Sequence, residues 1–382
     1  MLFEDISRTD MSPMTRTESD FEHLNRSARP ESIAVREHLN YWLDQMPDDV
    51  QNDLSSRLKT KNRIDFSSAS FEILLYALMK QIGAEITFHP KLPSSKTDRP
   101  DFEIQLKGEC FYLEATTAQV CNSSNFKPDP IWEEVFQKID EINSEEFFVS
   151  VETKGTLKTT PKISLISKKI KVWLDSLDYE KVAYEYHASK SKIQPDITIK
   201  IDDCSLTLKA FPRSIKTSGK RLIGIGDIKT DWIDEHTPLK NTILKKARKY
   251  GKLDKPFIIA VNAISAFLEL DEKMNALFGD ECYTFRRDLP EMEPIPGRKM
   301  NGVWTTPKGP RYTRLSGCWI FNNYSPWNIK TCKNTLFHNP WGNLPVSTSL
   351  NIFTHRKPVG SEMKLFEGFC LEDILIKTTK QL

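Results

Sequence analysis

Asp101 and Glu114 are the residues whose type and spacing point most directly to chemistry. They stand in a segment, Arg99 to Thr116, where Phe102, Ile104 and Leu106 alternate with polar neighbours, as do Phe111, Leu113 and Ala115. That alternation predicts two strands joined by a tight turn. With Gly108 and Glu109 as the central turn residues, glycine first as a type II′ turn prefers, Lys107 pairs with Cys110. Phe102 then faces Ala115 and Asp101 faces Thr116, which leaves Asp101 diagonal to Glu114, about 6–8 Å away at Cβ. Two carboxylates at that separation can share Mg²⁺ or Mn²⁺, hard cations that prefer carboxylate and carbonyl oxygens, and the backbone carbonyl of Ala115 is a further candidate ligand. An ion held there lowers the pKa of its water and neutralises charge on a phosphate, so the predicted chemistry is phosphate-ester hydrolysis.

Lys246 is the third group. Leu239, Ile243, Ala247 and Tyr250 form the apolar stripe of a helix predicted over 239–251, with Lys245, Arg248 and Lys249 directed away from it. Lys246 lies only about 20° from the stripe axis, and so faces the protein. An unpaired buried ammonium costs several kcal/mol on the order of its desolvation, so Lys246 either snorkels to water or reaches the Asp101/Glu114 pair. Glu72 borders the stripe of an earlier helix, about 100° from Phe71, where solvation alone also accounts for it. That helix is capped by Ser67 or Ser68 and buries Phe71, Leu75, Leu78 and Ile82 before a strand at 85–89.

Pro100-Asp101, then Glu114-Ala115-Thr116 on the next strand, resembles the PD-(D/E)XK, or restriction-endonuclease-like, nuclease superfamily. The resemblance implies an α/β fold: an αβββαβ core, with a central mixed sheet flanked by helices. It also implies that Asp101 and Glu114 are metal ligands and that Glu72 matches an acid often carried on the helix before the first core strand. Thr116 stands where the family usually has lysine. Catalytic residues of the superfamily migrate between neighbouring elements, so the resemblance implies that Lys246, on the later helix ahead of the strand 256–262, stands in for that lysine if it does not snorkel to water. The implied function is a Mg²⁺- or Mn²⁺-dependent endonuclease acting on nucleic acid, DNA in the first place, in defence against foreign DNA. A homo-oligomer or a partner protein from the same defence system remains open. So do a catalytically inactive nucleic-acid-binding or assembly module on the same fold and a hydrolase of small phosphate esters.

Charge distribution agrees with an anionic partner. Residues 216–252 hold ten Lys/Arg against four acids, whereas 1–60 hold seven against twelve, so positive charge concentrates mid-chain although the net charge is only +2. Seven cysteines without a C-x-x-C pair argue for free thiols in a reducing cytoplasm and against a zinc ribbon. The run from Phe257 to Leu270 is interrupted and too short to span a bilayer, and the first residues lack a signal peptide's basic and apolar regions, so no membrane association is predicted.

The remaining chain reads as scaffold. Residues 1–30 form a loose tail and 31–66 a helical segment with helices near 33–43 and 48–58. The core comprises 67–120 and 236–265, and 121–235 is an insertion or a sheet extension. Within it, helices are predicted at 131–142 and 163–177, strands at 147–152, 197–201 and 206–208, and a plain turn at Gly224-Ile225-Gly226-Asp227. The aromatic-rich region 266–382 packs on the core. Gly302-Val303-Trp304, Gly317-Cys318-Trp319 and the run Leu336 to Gly342 resemble the C-terminal part of uncharacterised bacterial stand-alone proteins with the same nuclease core. Its tryptophans fit core packing or stacking on bases.

Overall fold

The computed structural model describes residues 1–92, 98–120, 130–190, 192–215, 221–224, 234–265, 268–285 and 293–375. The chain divides into two compact units, one of residues 1–12, 19–123 and 233–382, the other of 13–18 and 124–232. Ile225, Gly226 and Asp227 of the expected turn lie outside the described residues. Among the described residues no helix is long and apolar enough to cross a membrane.

The larger unit begins with α1 (Asp20–Arg26), α2 (Pro30–Leu43), α3 (Asp48–Leu58) and α4 (Arg63–Gln81), followed by β1 (Glu85–Phe88), β2 (Phe102–Leu106) and β3 (Glu109–Gln119). The smaller unit contributes α5 (Pro130–Asp140), β4 (Phe147–Lys154), α6 (Ile163–Asp175), α7 (Tyr179–Ala188), β5 (Asp196–Ile201) and β6 (Cys204–Pro212). The larger unit resumes with α8 (His236–Lys249), β7 (Phe257–Ile264), α9 (Leu270–Phe278), β8 (Glu281–Thr284), β9 (Ile295–Arg298), β10 (Thr305–Thr306) and β11 (Gly309–Pro310). It ends with β12 (Gly317–Asn322), β13 (Asn334–His338), β14 (His355–Val359), β15 (Glu362–Phe366) and α10 (Leu371–Leu375).

An eight-stranded mixed sheet, in the order β1-β2-β3-β7-β12-β13-β14-β15, organises the larger unit. β1, β2 and β3 are antiparallel neighbours, while β7 runs parallel to β3 and β12 parallel to β7. The region after 266 is therefore more than a cover: four of its strands extend the central sheet. Trp304 and Trp319 are buried there, whereas Trp341 is exposed. The smaller unit has its own sheet, β4-β6-β5, and among the described residues adds no strand to the larger one.

The two faces of β3 are separated by its pleat. Phe111, Leu113 and Ala115 pack in one core with Phe71, Leu74 and Leu78 of α4. Tyr112 and Ala118 join the other core, with Leu239, Ile243 and Ala247 of α8. β3 thus carries apolar side chains into both layers, and Glu114 projects on the α8 side.

Three expectations are corrected. The hairpin turns at Lys107-Gly108, with φ of 50° and 80°, and pairs Leu106 with Glu109 and Phe102 with Leu113. Two central residues with positive φ make a type I′ turn, whose twist suits the flanking strands; the register moves by two residues, so the faces are kept. α4 starts earlier than expected, because Asn62, not Ser67 or Ser68, accepts from the Ile64 N–H as its cap. The N-terminal 30 residues are no loose tail: α1 carries a Ser19–Glu22 capping box, and Leu2 and Phe3 are buried with their backbone N–H groups on Asn40.

Candidate active site

The corrected register brings the acids closer together. One step beyond the Phe102–Leu113 pair sets Asp101 across from Glu114, on the α8 face. The backbone of Asp101 still follows the sheet, its carbonyl accepting from His89 N at 3.0 Å. Its Oδ2 accepts from the Ala115 N–H at 2.6 Å, which ties the end of β2 to the middle of β3.

Glu114 is fully buried, with 0% exposure. Burying a carboxyl group is costly unless it is paired and hydrogen-bonded. Its partners come from the last turn of α8: Lys246 Nζ donates to Oε1 at 2.7 Å, and Lys249 Nζ lies 3.5 Å from the same oxygen. The Tyr250 hydroxyl contacts Oε2 and also donates toward the Arg99 carbonyl at 2.8 Å. One phenolic proton serves these two acceptors, so it is given to one at a time. Lys246 therefore reaches Glu114 and does not simply snorkel. Lys249, expected to point away, shares its face, as its i, i+3 relation to Lys246 allows.

Glu72 does not touch either acid. Arg57 holds it through two bonds, Nη2 to Oε1 at 2.7 Å and Nη1 to Oε2 at 3.2 Å. Its charge is nonetheless felt at both Asp101 and Lys246. Thr116 is half-buried in β3 and pairs with Val261 in register. Ala115 contributes the N–H that binds Asp101.

The electrostatics are those of crowded acids. Burial first, then Glu114 and Glu72, push the Asp101 carboxyl up to about 8, although Lys246 and the Ala115 N–H pull the other way. Burial works against the Lys246 ammonium, but Glu114 and Asp101 outweigh it and hold the pKa above that of an ordinary lysine. Burial, then the Glu114 charge, raises the Tyr250 phenol, which therefore stays protonated as a donor.

Among the described residues no set of three or more His, Cys, Asp or Glu side chains is grouped to hold a metal ion. Mg²⁺ is commonly held by one or two carboxylates, waters and substrate phosphates, so the Asp101/Glu114 pair is a sufficient protein donor set. Burial, reinforced by the charges of Glu114 and Glu72, favours the protonated form of Asp101, and a divalent cation placed between the acids would oppose both. Both Glu114 oxygens already accept from protein donors, so an ion at Glu114 would share these oxygens with Lys246 and Tyr250 or displace one of them.

Periodicity singles out Lys246 but misses Tyr250 and Arg57. Tyr250 is indistinguishable in sequence from a core aromatic, and its ring does pack edge-on against Phe257 at 5.3 Å. Arg57 lies 15 residues from Glu72 on a separate helix, with no spacing rule to join them. Neither protein-family models, curated proteins nor solved structures yield a match to this chain, so the chemistry of the site rests on its own geometry.

Proposed function

We propose that the protein is a metal-dependent nuclease that hydrolyses phosphodiester bonds, with DNA as substrate and foreign DNA as its cellular target. The observation that carries this reading is the convergence of Asp101 and Glu114 from a hairpin with Lys246 from α8. The succession α4–β1–β2–β3–α8–β7, with β7 parallel beside β3, agrees with the αβββαβ order of the restriction-endonuclease-like core.

Asp101 and Glu114 would hold Mg²⁺ or Mn²⁺, which supplies an acidified water and neutralises charge on the scissile phosphate. Lys246 acts as a donor, because its neighbours stabilise the ammonium form. It orients the attacking water or a phosphate oxygen, the task left open by Thr116. Lys249 adds positive charge on the same side, Tyr250 fixes Glu114, and Arg57 keeps Glu72 as a charged neighbour.

A second reading, a DNA-binding module without hydrolysis, is favoured by the engagement of both Glu114 oxygens. Incubation with plasmid, linear and single-stranded DNA and with RNA, in Mg²⁺, Mn²⁺ or EDTA, separates the two. The nuclease reading expects metal-dependent cleavage that is lost in Asp101→Ala, Glu114→Ala and Lys246→Ala. Binding without cleavage supports the second reading, and cleavage that survives Asp101→Ala moves the active site elsewhere.

A further inference from the structure

Next to the α8 turn that carries Lys246 and Lys249, residues 251–254, 312–314 and 343–344 enclose a cleft of about 590 Å³. Its volume is that of a ligand site, and cations outnumber acids around it, since the one carboxylate among the described residues of its lining, Asp254, is engaged by the Tyr112 hydroxyl and Lys255. Lys252 and Arg314 line it, and Arg248 and Arg311 attach to its wall at Tyr312. Arg248 Nε donates to the Tyr312 hydroxyl at 2.9 Å, and the Arg311 guanidinium lies 5.3 Å from the Tyr312 ring centre. Arg314 is fixed by two bonds to the Ala247 carbonyl near the end of α8, at 3.2 and 2.5 Å.

Two features separate this cleft from an ordinary solvated surface. Among the described residues, none of these four cations has a carboxylate within ion-pair distance; Arg248, Arg311 and Arg314 bond only to a phenol or to carbonyls. Tyr312 also sits at φ 50°, a left-handed conformation uncommon for a bulky residue and held here by its neighbours. Fixed guanidiniums without carboxylate partners leave their charge available to an outside anion. The same helical turn serves both places, with Lys246 and Lys249 on Glu114 and Arg248 on the cleft.

We propose that the cleft is a subsite for the sugar–phosphate backbone of a DNA strand, gripping phosphates that flank the bond presented to Asp101 and Glu114. The assignment deepens the nuclease reading and rests on it. A strand seated in the cleft would meet Lys252 and Arg314 on its lining and Arg248 at its Tyr312 wall, and its affinity would come from phosphate neutralisation without base readout.

The test measures binding apart from cleavage. Full-length Asp101→Asn protein in EDTA is titrated against a fluorescein-labelled oligodeoxynucleotide, single-stranded or duplex, across a range of salt. Arg248→Gln/Lys252→Gln in this background is expected to weaken binding about tenfold or more and to flatten the log–log salt slope by about 1.4–1.8, the share of two phosphate contacts. Lys330→Gln/Lys364→Gln, an equal charge change on exposed residues elsewhere in the unit, should change affinity far less. Lys252→Gln alone should give an intermediate loss, and thermal melting confirms that each variant is folded. Affinity of the cleft pair equal to that of the control pair overturns the subsite. So does calorimetric binding of deoxyadenosine monophosphate that depends on Lys252 while oligonucleotide binding does not, since the cleft would then be a free-nucleotide site. If wild-type protein binds DNA through the cleft but never cleaves it in metal, the catalytic reading fails and the subsite stands.

Discussion

The two faces of β3 are one residue apart in sequence and both pack apolar side chains, but at mid-strand the α8 face also buries a carboxyl group. Toward α4, Phe111, Leu113 and Ala115 meet apolar side chains and nothing is left to pair. Toward α8, Glu114 is equally buried, and its carboxyl oxygens are met by Lys246, Lys249 and Tyr250. A buried ion pair is a poor way to stabilise a sheet, because desolvation offsets most of the attraction and well-packed apolar side chains do as well or better. The α4 face is explained by folding; the α8 face calls for a different reason, and an active site is one.

The difference can be broken by exchanging the expected effects. Glu114→Gln keeps the shape of the side chain and removes its charge. It should cut DNA cleavage by about 10³-fold or more, the several kcal/mol that a metal centre contributes to its transition state, as measured by plasmid linearisation in Mn²⁺. Leu113→Ala, one residue away, should instead lower stability by about 2–5 kcal/mol in urea and leave the rate per folded molecule nearly unchanged. If Leu113→Ala silenced cleavage while Glu114→Gln did not, the assignment of roles to the two faces would be wrong. Lys246→Ala comes next, with a loss of about 10²–10⁴-fold, the range for a group that assists proton movement or orientation.

Much of this contrast is legible in the sequence, because side-chain period decides faces. Alternation from Phe102 to Ala115 separates the apolar face from the one carrying Asp101 and Glu114, and helical spacing turns Lys246 inward. A register error of two residues does no harm to the assignment of strand faces, whereas an error of one would have reversed it. The turn itself misleads: Lys107 adopts φ 50°, which glycine or asparagine takes more readily, and only the flanking strands force it. Long-range partners are also invisible. Parallel pairing of β12 with β7, Asn40 bonding the backbone of Leu2 and Phe3, and Arg57 gripping Glu72 each join segments that no local pattern links.

Asp101 sharpens the comparison through pH. Its folded-state pKa, about 8, lies far above the ordinary 3.8, so between these values the folded protein keeps a proton that the unfolded chain has released. Stability in EDTA should therefore fall as pH rises from about 4 to 8, and Asp101→Asn, which can still accept from the Ala115 N–H, should flatten the trend. At pH 8 the variant is expected to exceed wild type by about 1–3 kcal/mol in the absence of metal. Mn²⁺ should reverse the order, since only wild type retains the Asp101 carboxylate to bind it. The same ranking of melting temperatures with and without Mn²⁺ would remove Asp101 from the metal-binding set.

Tyr250→Phe has the smallest expected effect and probes the contact where the two readings of the site diverge. The ring should stay packed on Phe257, so the change removes only the hydroxyl between Glu114 Oε2 and the Arg99 carbonyl. Without metal, losing a hydrogen bond to a charged group should cost about 1.5–3 kcal/mol or less, because the Arg99 carbonyl can turn to water. With metal the sign should invert: the hydroxyl competes with the ion for Oε2, and its removal should lower the Mn²⁺ concentration for half-maximal cleavage by up to about tenfold. A higher Mn²⁺ requirement would mean that Tyr250 holds Glu114 in the orientation the metal needs. The same hydroxyl would then be a support for the metal site and not a latch upon it.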